Sequence, residues 1–280
     1  MKVQSSLRPI LCRSALAALF ASPALPAADF WYDGGNFNWS GGSTGFTGWS
    51  TVSNATTPNP TAAPGISDDI TFNITTNNAA GNGLSFAGAN RAANSITVDT
   101  SGVTNFRAGS STFTGTRIFT LGSGGITVNS GGGAVTIGQS GYGTINITLG
   151  SNQTWTNNSS NQLTITGAVT GGGRSLTTTG TGTIRLNGAN TYTGDTVVNE
   201  GTLELADDAQ MKFVLGASTG INNKISGAGS VTLDGDFVID TSAADGLFSG
   251  SWTLEDVASL TGAYGATFSI IGFTDIGNDQ

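Results

Sequence analysis

The side chains able to do chemistry are few, and what is missing narrows the field first. No histidine occurs in the 280 residues. A Ser-His-Asp triad, a histidine base and a histidine-bound zinc are therefore excluded. The single cysteine, Cys12, lies in an N-terminal leader, so neither disulfides nor thiolate metal sites are expected, and no cofactor is implied. Gly-x-Gly recurs many times, but never as Gly-x-Gly-x-x-Gly between a strand and a helix, so nucleotide binding has no support. Carboxylates and aromatics remain. The run DGDFVID holds Asp234, Asp236 and Asp240, and a strand would put Asp234 and Asp236 on one face. Such a pair could hold calcium or serve as acid and base of a glycosidase. The competing reading is two solvated carboxylates on an outer surface. Asp207–Asp208 and Glu255–Asp256 are adjacent pairs that would point to opposite faces of a strand.

Trp31, Trp39 and Trp49, spaced among glycine and asparagine, would make a sugar-stacking platform if exposed. The alternative is that they close one end of the fold. Arg107, Arg117, Arg174 and Arg185 are scattered and offer no basic cleft for an acidic polysaccharide. The formal net charge of −8 argues against nucleic acid or an anionic membrane as partner, because both require Lys/Arg clusters. Charged residues are only 10% of the chain, and the apolar residues are regularly placed, which separates it from disordered chains of low hydrophobicity and high charge.

The elements that must position these residues are strands. From Ser175 to Leu205 apolar residues alternate at Ile184 and Leu186 and at Leu203 and Leu205, punctuated by Gly180, Gly182, Gly188, Gly194 and Gly201. Alternation broken by glycine predicts short strands joined by tight turns. A helix is excluded, since each glycine would cost it about 1 kcal/mol. The frame Gly-x-Gly-x-apolar-x-apolar recurs from Gly122, Gly141, Gly180 and Gly227, with weaker copies from Gly102, Ser159 and Asn199. Those starts are spaced at roughly 20 residues, a solenoid period, with one longer step before Gly227. Units of that length cannot bury their own apolar face, and stacking must do it. The expected fold is all-β: a right-handed parallel β-helix, or solenoid, with coils of about 20 residues. Seven coils at the roughly 4.8 Å strand spacing make a rod on the order of 30 Å.

The residues Leu176, Gly180, Gly182, Ile184, Leu186, Gly188, Asn190, Tyr192, Gly194, Thr196, Val198, Gly201, Leu203 and Leu205 together resemble the autotransporter-associated β-strand repeat. Thr178 stands where that family usually carries lysine. The resemblance covers about thirty residues as one full copy. It implies a passenger-type β-helix exported to the cell surface, and it names neither a ligand nor a reaction.

In chain order, Lys2, Arg8 and Arg13 precede the apolar run Ala15–Ala21, and Leu25–Ala28 offers small residues for cleavage. Residues 1–28 read as a signal peptide, too short to span a membrane. Residues 29–80, rich in Trp and Pro, read as an N-terminal cap, 81–205 as β-helix repeats, and 206–280 as the last coils with a C-terminal cap. Trp155, between Leu149 and Leu163, is expected to point inward. No run before Gln280 would build a membrane barrel or a sorting tail, so the expectation is free release or an anchor beyond that residue. Together these features predict an exported, extracellular or surface-located structural or adhesive rod without catalysis. Its partners would be extracellular glycan or matrix components. A carbohydrate-active β-helix enzyme or a glycan-binding module is the alternative.

Overall fold

The computed structural model describes residues 27–32, 38–39, 48–73, 83–247, 249–261, 264 and 266–272. Cys12 and nearly all of the expected leader lie outside them. Among the described residues every regular element is a strand, and almost every pairing is parallel. No helix is long and apolar enough to cross a membrane.

The strands stack on three faces, visited in the same order by each coil. The first face runs through Asp29–Tyr32, Asp69–Phe72, the second half of Arg91–Val98 and the end of Thr116–Val128. It continues through Gln153–Asn157, Leu176–Thr179, Thr196–Val198 and the starts of Ile225–Leu233 and Glu255–Leu260. Among the described residues that makes nine levels, about 40 Å of rod at the parallel-strand spacing. The second face carries an inward column of Leu84, Phe106, Ile137, Ile165, Leu186, Leu205 and Leu233 in register. The third begins with Arg91–Ala93, Phe119–Leu121, Thr144–Leu149 and Val169–Thr170. It resumes as a separate sheet of Ala189–Asn190, Gln210–Val214, Asp236–Asp240 and Ile270–Ile271. Alternate residues point inward along each strand, so like-shaped apolar side chains pile into continuous columns, and almost all are fully buried.

The expected solenoid is present, but its period is less uniform than the spacing suggested. Down the second-face column the steps from Leu84 to Phe106, Ile165 to Leu186 and Leu186 to Leu205 are short. Those from Phe106 to Ile137, Ile137 to Ile165 and Leu205 to Leu233 are about half as long again. A coil of roughly 20 residues, the short end of the solenoid range, therefore describes Leu84 to Phe106 and Ile165 to Leu205 and not the whole rod. The frames from Gly122 and Gly141 place Ile126 on the first face and Ile147 on the third, whereas the other copies place their apolar pair on the second. Strands of different faces share one local pattern, because alternation records only which side is buried.

Within residues 176–205 the repeat motif resolves into stacking contacts. Gly180 and Gly201 adopt φ of +85° and +68°, a region that penalises side chains. Gly188 and Gly194 serve close approach instead: an added Cβ would lie 2.3 Å from the carbonyl carbon of Gly167 and 2.4 Å from that of Arg174. Asn190 is buried, and its amide joins three levels. Its Oδ1 accepts from the Val169 N–H (3.0 Å), and its Nδ2 donates to the carbonyls of Gly188 (2.9 Å) and Gln210 (3.0 Å). This bridge sits where the third face changes from one sheet to the next. Tyr192 is buried with its hydroxyl 2.6 Å from Thr196 Oγ1, and burial pushes its phenol well above the ordinary range. Asn157 does on the first corner what Asn190 does here, donating to the carbonyls of Asn161 and Thr183 and accepting from Ser159 N–H.

The first levels hold an aromatic plug. Trp49–Ser50 runs antiparallel to Asp29–Tyr32 and breaks the solenoid pattern there. Trp39 and Trp49 meet edge to face with ring centres 5.2 Å apart, and Trp39 also packs edge-on against Phe86 and Phe119. The Trp39 indole donates to Pro64 O and that of Trp49 to Trp39 O. Trp155 points inward, fully buried, and donates to Gln153 Oε1 (2.8 Å).

Asn190→Ala strands the buried Val169 N–H and takes a donor from the carbonyls of Gln210 and Gly188, the latter keeping the Gln210 N–H; a buried polar group left unsatisfied costs about 1–3 kcal/mol. Denaturant unfolding should show a loss of at least about 2 kcal/mol for it. Gly194→Ala should lose about 1–3 kcal/mol through backbone overpacking. Gly172→Ala meets nothing within 4 Å and serves as the neutral control. On the third face the Lys212 ammonium, 2.9 Å away, with Ser242 holds the Asp240 carboxyl at about 2. A depressed acid stabilises the fold above its ordinary value and loses that contribution as pH falls through about 2. Thermal midpoints of the parent and Asp240→Asn should therefore differ at neutral pH and converge near pH 2.

Candidate functional site

The two carboxylates singled out from the sequence do not form a pair on one strand face. Asp234 follows the end of Ile225–Leu233 on the second face, and Asp236 opens Asp236–Asp240 on the third. Between them Gly235 makes the corner, packed so tightly that a Cβ would lie 2.4 Å from Ala209 O. The alternation argument fails because the strand turns between the two residues. Asp236 is also engaged: its Oδ1 accepts from both the N–H and the hydroxyl of Ser269, each at 2.8 Å. That contact ties down the segment leading into Ile270–Ile271. Among the described residues no group of three or more His, Cys, Asp or Glu is placed to hold a metal ion.

The tryptophan platform is likewise corrected by burial. Trp39 and Trp49 have 0% exposure and offer no ring face to a ligand. They are drawn inward because the first coils have aromatic columns, Phe72, Phe86, Phe106 and Phe119, that need large partners to fill the core. Trp31, at an outward position of its strand, is only half-buried.

A recessed surface lies elsewhere, at the corner between the second and third faces. Loops 86–90, 108–115 and 138–143 project there from successive levels and frame an open cavity of about 580 Å³. Arg107, Phe113, Tyr142, Ser110 and Ser111 line it. Arg107 ends its strand pointing outward, and its Nε donates to Gly83 O (2.8 Å). Its guanidinium carbon sits 4.7 Å from the centre of the Tyr142 ring. Arg117 stands 4.3 Å over the Phe113 ring in the same way, and its Nε makes no hydrogen bond. Both contacts are cation–π pairs that hold the cations in place. Phe113 is wedged among glycines: a Cβ on Gly109, Gly115 or Gly143 would come within 2.7 Å of its ring. Arg91 braces the first loop, donating from Nε and Nη2 to Phe86 O.

Arg107 and Arg117 are thus not scattered. The stacking of consecutive turns places Arg91, Arg107 and Arg117 at one corner. Arg174 and Arg185 do not join them; Arg185 pairs with Glu204 on the outside of the second face. A signal for the cluster exists in the sequence. Between residues 70 and 194 Asp99 is the sole acid, against Arg91, Arg107, Arg117, Arg174 and Arg185. The net charge of −8 therefore conceals a middle segment of +4 flanked by −12.

Asp234→Asn is expected to leave the fold and any glycan turnover unchanged. Asp236→Asn should loosen only the last coil, read as faster amide exchange around Ser269–Ile271.

Comparison with known proteins gives a family match. The family described as Passenger-associated-transport-repeat matches residues 176–205. No curated protein and no solved structure matches the chain. The matched stretch is the one whose glycines, Asn190 and Tyr192 stack one coil on the next. Residues 176–205 thus match the passenger-associated transport repeat, in agreement with the autotransporter-associated β-strand repeat that the motif resembles, and they lie within an all-β solenoid.

Proposed function

We propose that this chain is the passenger-type rod of an exported protein, working outside the cell or on its surface as a structural or adhesive element. The observation that carries the reading is the match of residues 176–205 to a passenger-associated transport repeat seated in a stack of parallel coils. Its action is mechanical. Each coil pairs its backbone with the next, so few main-chain groups inside the rod are left open for a protease or a competing strand. Outward positions are filled largely by small polar residues, as in the first-face column Thr71, Thr97, Thr127, Thr156 and Thr179. Such a surface stays hydrated with little charge and holds the two ends of the rod apart. Coils that depend only on their neighbours can also fold one after another as the chain emerges from an export channel.

Protease treatment of intact producing cells, followed by detection with an antibody against residues 83–247, tests the reading. Signal on the surface or in the medium, as a protease-resistant band, is the expected result. Retention of the full chain in the cytoplasm would overturn it.

A further inference from the structure

We propose that the cavity at the corner of the second and third faces binds an anionic saccharide, a pyranose bearing a carboxylate. The inference rests on the fold and on the corner itself, and it does not depend on export. The site combines the groups such a ligand requires. Arg107, held over the Tyr142 ring at 4.7 Å, presents a planar cation. Guanidinium groups match carboxylates in two-point geometry better than ammonium groups do. The Tyr142 ring supplies apolar surface against which the C–H face of a sugar packs, Phe113 forms the wall beneath Arg117, and Ser110 and Ser111 supply hydroxyls at the rim. Arg117 adds a second positive charge at the edge, since a Cβ on the lining residue Gly88 would lie 3.9 Å from its Nη2. Its Nη1 donates to Thr116 O (3.1 Å), and its buried Nε has no hydrogen-bond partner.

The electrostatics favour an anion although the protein is acidic. Asp99, the sole acid between residues 70 and 194, sits at the corner of the first and second faces, where Asn129 donates to it; Asp68 and Asp69, at the corner of the third and first faces, are engaged by the N–H groups of Ala28 and Gly65 and by the side chains of Asn94 and Ser95. The acids that begin at Asp195 belong to levels further along the rod. From Ile126 to Val198 the first face rises three levels, about 14 Å at the parallel-strand spacing. That exceeds the Debye length of about 8 Å at physiological ionic strength, so their repulsion is largely screened. The site is also pre-ordered. Phe113 is wedged among Gly109, Gly115 and Gly143, and backbone bonds from Gly109 N to Tyr142 O and from Thr144 N to Gly115 O lock the two loops together. Beyond the 138–143 loop a second hollow of about 320 Å³, lined by Ser140, Thr144 and Thr166, continues along the same corner. A chain of several sugars lying along the rod would occupy both.

Calorimetric titration of the purified full chain with tetragalacturonate tests the proposal, alongside the same oligomer with its carboxylates reduced to alcohols. The acid should bind, weaken as salt rises, and exceed the reduced oligomer by at least about tenfold. Tyr142→Ala and Arg117→Gln should each cost about tenfold in affinity at an unchanged thermal midpoint. Because Arg107 also anchors Gly83, Arg107→Lys is the variant to use there: it keeps the charge and removes the planar fork. Equal affinity for acid and reduced oligomers, parental binding by the Tyr142 and Arg117 variants, or no heat at millimolar sugar would each overturn the assignment. A sulfated tetrasaccharide binding as tightly as the uronate would overturn the carboxylate part of it.

Discussion

The whole structure depends on one constraint: successive coils must lie within about 4.8 Å of each other on all three faces at once. On the faces, parallel hydrogen bonding meets that distance without help. At the corners the chain changes direction and the same distance has to be kept by a backbone that is no longer extended. Glycine is what makes this possible, since Gly188 and Gly194 stand where even a Cβ would penetrate the coil below. Buried asparagine completes the corner, because a turned backbone leaves N–H and C=O groups unpaired inside the rod. Asn157 and Asn190 each provide both a donor and an acceptor in one short side chain and span neighbouring levels with them. The glycines and Asn190 within residues 176–205 thus mark corners, while the leucines, Ile184 and Val198 mark the faces.

The same constraint accounts for where variation is allowed. A coil can lengthen wherever a corner loop bulges outward, provided its three strands return to register. The longer steps into and out of Ile137 reflect loops 108–115 and 138–143, which project from one corner. The stretch from Ile165 to Leu205 carries no such loop and keeps the short coil. Function in a stacked rod therefore has a natural address. Faces are committed to pairing and packing, and only the protruding corners can gather side chains into a recess.

The two ends of the rod obey a different rule. A solenoid exposes its core at each terminus unless something covers it. At the first levels the antiparallel strand Trp49–Ser50 and the Trp39–Trp49 pair cover the column that starts at Phe30 and Tyr32. At the last described levels Phe237, Tyr264 and Phe268 pack together, but Leu260, Ile270 and Ile271 keep 41–50% of their surface exposed. Trp39 and Trp49, two of the three residues that looked like a ligand platform in the sequence, are spent on this covering.

Alternation and glycine spacing were enough to establish an all-β solenoid and to single out residues 176–205, because inward–outward alternation and corner glycines are local demands that each coil imposes on its own residues. The inward place of Trp155 was legible for the same reason. Which face a strand joins was not, since Ile126, Ile147 and Ile165 carry the same local pattern and differ only in their partners on the neighbouring coils. That is why a single apparent period stood for coils of several lengths. Asp234 and Asp236 looked paired because a strand was assumed to continue through Gly235, and only the corner separates them. Arg107 and Arg117 looked scattered because their proximity to each other and to Arg91 arises from stacking, which sets residues of successive coils side by side whatever their distance along the chain. Local residue types determined the architecture; tertiary register decided which side chains meet.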